Sequence, residues 1–458
     1  MNIKYFKSKI YILAFILLSA CDSFTEVDLP EQQLTGNVTF QEASTAYAAL
    51  SDIYSRIRDT GMLSGLNSGL SSVMGLYADE LTYYGTANQG KPFYDHTVVP
   101  GNTYISGFWS NAYSQIYAAN AILHGVEGSA AIIGEDRDRL IGEVLFIRAY
   151  LHFYLLNLYG DIPYITVTDY NINSVIPKLS QQEIQQRIIT DLTNSANLLP
   201  DTYPTDERVR PNKAVVYALF ARVYLYMEDW EKAETYASTV INNPDYVWED
   251  NLGNVFLKDS PAIIWSLHPG AAGLNTKDAR TFIFSAGPPT RPALSSNLMN
   301  DFEPGDMRKT SWTKTITNGS NSWFCAFKYK KAVNTTPSQE YTILFRLEEQ
   351  YMIRAEARAH LANISGAQND LNKIRNRAGL SDTSADFEQT LIDAIIRERR
   401  VEFFTEQGHR WFDLKRTGRA ASVLTIIKPS WQDTDVLLPL PESELLLNEN
   451  LLPQNPGY

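Results

Sequence analysis

The stretch Gly85-Thr86-Ala87-Asn88-Gln89-Gly90-Lys91 has the glycine and lysine spacing of a loop that cradles phosphates. Such a loop aims backbone N–H groups and a lysine at the phosphates, with a hydroxyl on the metal and a helix N-terminus behind it. Pro92 stands where the hydroxyl belongs, and the sequence shows no sign of a helix opening directly after it. The loop is therefore read as a turn. No Gly-x-Ser-x-Gly, His-Glu-x-x-His or EF-hand spacing occurs elsewhere. The 6 histidines (His96, His124, His152, His268, His360 and His409) are scattered, and no Cys/His spacing suits zinc. Neither a metal nor a cofactor is expected. The 52 acidic residues can hide a glycosidase carboxylate pair, which leaves no local spacing signature, but nothing singles one out. Binding chemistry is what remains. The 26 tyrosines and 8 tryptophans are either stacking platforms or knobs of a helical core, and residue for residue the core is the commoner fate.

One side chain has a sharper assignment. Lys4, Lys7 and Lys9 form a basic segment, Ile10 to Leu18 a short apolar one, and Leu18-Ser19-Ala20-Cys21 follows. This resembles a bacterial lipobox: residues 1–20 read as a signal peptide, with Cys21 lipidated and first in the mature chain. The apolar run is too short to span a bilayer, which takes about 20 residues. Two or more acyl chains give stable anchoring, at about 0.8 kcal/mol per buried methylene. Residues 21–42, with Asp22, Glu26, Asp28 and Glu31, read as an acidic tether. With Cys21 lipidated, Cys325 has no disulfide partner. No later stretch is expected to span a membrane. A net charge of −12 argues against nucleic acid or anionic lipid as partners.

The elements that carry these groups are helical. Helical periodicity begins over about 43–58 and recurs over 108–123. A third helix, 143–159, is apolar on nearly every face and so belongs inside the molecule. Gly160-Asp161-Ile162-Pro163 ends it. Tyr217, Ala221 and Ala233 then recur at the spacing of Tyr351, Ala355 and Ala367. Each set spans two amphipathic helices around a turn, at Glu228-Asp229 in the first and Ile364-Ser365-Gly366 in the second. This is similar to the tetratricopeptide pattern, in which small residues let paired helices approach. The expected fold is mainly α: a tetratricopeptide-like helical repeat scaffold over 43–458. A loop-rich insertion with short strands interrupts it over about 247–331.

Four segments together resemble the SusD/RagB family of outer-membrane nutrient-uptake lipoproteins. They are Gly142 to Tyr150 running on through Pro163, and Arg210-Pro211-Asn212-Lys213-Ala214 through Leu225 with Trp230 and Ala233. A third runs from Arg346, Glu349, Arg354 and Glu356 through Arg375-Asn376-Arg377 to Glu398-Arg399-Arg400, Glu402, Glu406 and Gly408-His409-Arg410-Trp411-Phe412-Asp413. The fourth is the ending Leu438-Pro439-Leu440-Pro441 to Gln454-Asn455-Pro456-Gly457-Tyr458. Gln407 departs from the family's pattern, in which Glu is often followed directly by Gly. Arg399, Arg400, Arg410, Glu402, Glu406 and Asp413 sit among Phe403, Phe404, Trp411 and Phe412, and charges so placed must be paired. Interlocked ion pairs pinning the C-terminal helices are expected.

The resemblance implies a non-enzymatic lipoprotein on the external face of the outer membrane. It would bind an oligosaccharide and pass it to a SusC-like TonB-dependent transporter. Alternatives are a peptide or other nutrient binder of the same type and, more remotely, an anchored glycoside hydrolase. Family members place ligand contacts in the loop between early helices and in the long insertion. The first implies Asp79, Tyr83, Tyr84, Phe93 and Tyr94; the second implies Trp265, Trp312 and Trp323, with Phe324 and Tyr329 beside them. An apolar sugar face stacks on an aromatic ring while polar neighbours bond its hydroxyls. Trp109 and Trp230 lie at helical packing positions and are set aside.

Overall fold

The computed structural model describes residues 39–85 and 89–458. The signal segment, Cys21 and most of the tether lie outside the described residues. From the N-terminal side come α1 (Ala43–Asp59), α2 (Leu70–Tyr77), β1 (Leu81–Thr82) and α3 (Lys91–Asp95). Two long helices, α4 (Thr103–Glu127) and α5 (Gly134–Tyr159), precede α6 (Tyr170–Asn173) and α7 (Gln181–Leu198). The pair α8 (Lys213–Tyr226) and α9 (Trp230–Ile241) follows. Next come β2 (Ile263–Leu267), α10 (Lys277–Phe282), β3 (Ala293–Leu294), α11 (Ser296–Asp301) and α12 (Met307–Trp312). The strands β4 (Thr313–Asn318), β5 (Asn321–Ala326) and β6 (Thr342–Arg346) lead into α13 (Leu347–His360) and α14 (Ile364–Arg377). The chain closes with α15 (Glu388–Glu402), α16 (His409–Arg416), α17 (Ala420–Ile427) and α18 (Glu442–Leu447).

Helix α5 is the axis of the main core. Residues 140–156 are all buried, and α4 and α7 pack along it. By length and composition it could cross a membrane, contrary to the expectation that no later stretch could; 94% of the qualifying window is buried among other helices. Its charges are neutralised inside. Arg148 donates to both Asp191 oxygens, at 2.7 and 2.6 Å, and Arg210 clamps Glu143 at 3.0 and 2.6 Å. Gly160 ends the helix with φ +75°, a conformation that costs only glycine nothing.

The repeat runs deeper than the sequence suggested. Ala221, Ala233, Ala355 and Ala367 are fully buried between the paired helices. Glu228 and Ala362 occupy equivalent turn positions with φ +59° and +58°. Each is followed by a capping side chain: Asp229 accepts from Lys232 N and Asn363 from Gly366 N. The second turn therefore lies at 361–363. Ile364-Ser365-Gly366, expected as that turn, is instead the first turn of α14, because Asn363 caps it.

The insertion is tied into the scaffold. β2 pairs with β6, and strands and short helices continue to Arg346. A four-stranded antiparallel sheet has the order β1-β3-β5-β4. A helix does open at Lys91 after the glycine–lysine loop, because Pro92 suits the first turn of a helix. Its lysine pairs with Asp95 of the same helix.

The expected ion pairs form, and they extend further than the C-terminal helices. Glu402 receives Arg346 at 2.7 Å, Arg377 at 2.6 Å and Arg308 at 3.0 Å. Glu406 holds Arg346 at 2.9 Å and Lys328 at 2.5 Å, and Arg399 pairs with Asp413 at 2.7 Å. Gln407 is buried; its backbone N–H donates to Ser71 Oγ and its amide to Ile343 O.

Candidate functional site

The two stretches expected to carry the site meet in the four-stranded sheet. Leu81 lies opposite Leu294, and Leu294 opposite Phe324; Thr82 lies opposite Ala293. Directly opposed residues share a face and successive residues alternate, so the register sorts the side chains. Leu81, Leu294 and Phe324 face the interior, where Tyr83 and Tyr94 pack on the same apolar cluster. Ala293, Trp323 and Cys325 take the other face, over Phe284 and Ile316. The Trp323 ring lies against Gly287, where a Cβ would stand 2.1 Å from a ring carbon, so only glycine leaves the indole room.

Loop geometry supplies the other half. Tyr84 follows β1 and is 41% exposed, while Tyr83, Tyr94 and Trp323 are half-buried. The Tyr83 and Tyr94 rings lie 6.4 Å apart with a 31° tilt. Lys428 fixes this corner: its ammonium donates to Leu76 O and Tyr94 O and sits 3.9 Å from the Tyr94 ring centre. Burial pushes the Lys428 amine down to about 7. Tyr104, at the start of α4, packs 6.2 Å from Phe93 and was missed by sequence reasoning. Its place in the first turn of a capped helix, just past the loop, was the available signal. Burial raises the Tyr94 and Tyr104 hydroxyls above their ordinary range, so both stay protonated donors at neutral pH.

Four of the expected contact residues belong to the interior instead. Asp79 is buried, bound by Arg410 at 2.7 and 2.9 Å and by Arg400 at 2.8 Å. Burial opposes its ionisation, but Arg410 and Arg400 overcome that and hold the carboxyl below its usual range. Phe93 is fully buried against Tyr77. Trp265 is enclosed by Phe146, Tyr150 and Phe345. Trp312 is enclosed too, donating its indole N–H to Leu252 O and packing on Phe256. Tyr329 is likewise buried, its hydroxyl accepting from Ile343 N. Tyr84 thus stands exposed beyond β1, beside the half-buried Tyr83 and Tyr94, while Trp323 is half-exposed on the sheet's other face.

The backbone beneath is held from both sides. Ser295 N donates to Glu80 O at 2.8 Å and Ser295 Oγ to Asp79 O at 2.6 Å, locking β1 to β3. Burial, with the Asp79 charge beside it, pushes the Glu80 carboxyl up to about 8. Among the described residues, no group of three or more His, Cys, Asp or Glu could hold a metal.

Comparison with known proteins fits this architecture. Residues 64–225 match a family model described as starch-binding and associating with the outer membrane, and residues 230–458 match the SusD family model. A SusD-like protein, P2, of Formosa agariphila is 27% identical over 508 residues, covering 98% of this chain and 99% of the relative. A SusD superfamily protein from Bacteroides vulgatus superposes with a TM-score of 0.80 at 20% identity, covering 92% of this chain and 100% of that one. A laminarin-binding SusD-like protein gives 0.78 at 23% identity, covering 91% and 100%. The chain belongs to the SusD/RagB family.

Proposed function

We propose that this protein is a lipid-anchored, surface-facing glycan-binding protein of the outer membrane. It captures an oligosaccharide and delivers it to a SusC-like TonB-dependent transporter, without cleaving it. The observation that carries this reading is the sheet that joins two distant stretches, with Tyr84 exposed beyond β1 and Trp323 half-exposed on its outer face. Rings held this way offer apolar faces to a pyranose, and tyrosine hydroxyls offer donors to its oxygens. Membership of a family described as starch-binding, and a structural neighbour that binds laminarin, support the same ligand class. A chain of net charge −12 suits a neutral polymer better than a polyanion.

The test is calorimetric titration of the full chain with laminarin oligosaccharides and with plant, algal and microbial glycans. A saturable signal for one of them, with no product formed on long incubation, is expected. Saturable binding of oligopeptides in place of every glycan would replace this reading with a peptide binder of the same type.

A further inference from the structure

A second aromatic concavity lies away from the sheet. Trp109, Tyr113 and Tyr117 recur at every fourth residue of α4 and so form one stripe along it. Tyr117 stands about 20 Å along the helix from Tyr104, at 1.5 Å per residue. Opposite the stripe come Tyr170 and Asn173 of α6 and Glu444 of α18, enclosing a cleft of about 380 Å³. Among the described residues, none of the sheet or of the 83–94 loop lines it. Its size falls within the range of small-ligand sites, about 300–1,000 Å³.

The wall is held in place and the lip is exposed. Trp109 is buried, its ring 4.8 Å from that of Tyr113, and the Tyr113 hydroxyl is fixed by donating to Pro163 O at 2.7 Å. Tyr117 and Tyr170, in contrast, keep 51% and 78% of their surface in water at the cleft mouth. Leaving large apolar surface exposed forgoes about 25 cal/mol per Å². Two polar groups in the wall are only partly used. The Glu444 carboxylate accepts from the Trp109 indole, and burial raises its pKa above the ordinary range. A carboxylate has about four acceptor positions, so capacity is left over. Asn173 spends its amide N–H on Val167 O, but its Oδ1 is enclosed with no partner.

Aromatic faces combined with a carboxylate that has acceptor positions to spare call for a ligand with apolar C–H faces and hydroxyl groups. We propose that this cleft is a second saccharide-binding site, taking one or two pyranose rings. A ring stacks on Tyr117 or Tyr170 and donates hydroxyl hydrogens to the Glu444 carboxylate. The choice of ligand class rests on the glycan-binding reading above; the geometry does not.

The test is saturation-transfer NMR on the full chain, held in a detergent without a sugar headgroup. The probes are methyl β-glucoside, methyl β-galactoside, methyl α-mannoside, cellobiose and laminaribiose. The double variant Tyr117→Ala/Tyr170→Ala alters only exposed rings, and an unchanged thermal transition verifies its fold. Transfer to at least one probe is expected to persist in Tyr84→Ala/Trp323→Ala, to vanish in Tyr117→Ala/Tyr170→Ala, and to fall several-fold in Glu444→Gln. Transfer abolished only by the sheet-face variant would overturn the second site and leave the first standing. Transfer abolished only by the cleft variant supports the second site and leaves the sheet-face site, which the oligosaccharide titration tests, untouched. Transfer unaffected by the cleft variant, or absent for every probe, overturns the proposal.

Discussion

At the scale of single residues, exposure divides the aromatics by what their loss should do. Tyr84 is exposed and Trp323 half-exposed, so replacing either by alanine should weaken glycan binding by about 1 kcal/mol, roughly fivefold in Kd, with little change in Tm for Tyr84→Ala and a modest fall for Trp323→Ala. Titration of each single variant alongside its melting curve would check this. Asp79→Ala and Trp312→Ala should act the other way. The first strands Arg410 and Arg400 in the interior, the second empties a core position, and each should cost about 3–5 kcal/mol of stability. Chemical denaturation would show it. The sequence could not make this division, because an aromatic in a loop-like stretch carries no mark of the side it faces. Trp265 is the partial exception. It sits in the run Ala262-Ile263-Ile264-Trp265, and a continuous apolar run bounded by turns reads as a strand buried on both faces.

At the scale of elements, the repeat was legible where it rested on small residues at fixed spacing, and illegible where it rested on backbone conformation. Tyr217, Ala221 and Ala233 announce helix pairing, but nothing in the sequence marks Glu228 and Ala362 as left-handed positions. A left-handed conformation costs a residue with a Cβ about 1–2 kcal/mol, of which glycine recovers part after its own entropy cost. Ala362→Gly should therefore stabilise by about 0.5–1 kcal/mol, whereas Asn363→Ala, which removes the cap, should destabilise by about 1 kcal/mol. A destabilised Ala362→Gly variant in urea titration would refute the turn geometry. The sheet joining the two site stretches was hidden for a different reason. Strands β1 and β3 are two residues each, too short to display a period of 2. The stretches could be named from the resemblance, but their meeting could not.

At the scale of the whole molecule, buried charge sets the response to pH. Burial opposes ionisation of Glu402, but Arg377, Arg346 and Arg308 reverse that and hold its carboxyl well below the ordinary range. Glu406 and Asp413 are lowered in the same way by their own cationic partners. Groups whose folded pKa is depressed stabilise the fold above their unfolded pKa, and that stability is lost as pH falls through the folded values. Glu80 has the opposite sign. Its ordinary value of 4.5 is raised to about 8, so the folded state holds an extra proton between those values and stability falls as pH rises through them. Glu80 thus contributes most on the acid side of its folded value, whereas Lys428, lowered to about 7, acts in the opposite sense and adds stability as pH rises above 7. Glu80→Gln should raise Tm at pH 8.5, by the equivalent of about 1–3 kcal/mol, and leave it unchanged at pH 4. A Tm profile identical to wild type would remove Glu80 from the account. The ion pairs themselves were legible in part, since Arg399, Arg400 and Arg410 lie among aromatics that must be buried. Their partners Asp79, Arg308 and Lys328 come from distant segments, and no local spacing could name them.

The central claim is that the outer face of the four-stranded sheet binds glycan. Isothermal titration of the full chain against laminarin oligosaccharides and a glycan panel, repeated with Tyr84→Ala/Trp323→Ala, tests it most directly. The account predicts saturable binding of one glycan by the wild-type chain. In the double variant that affinity falls at least tenfold while the chain stays folded. Unchanged affinity in a folded double variant would contradict it.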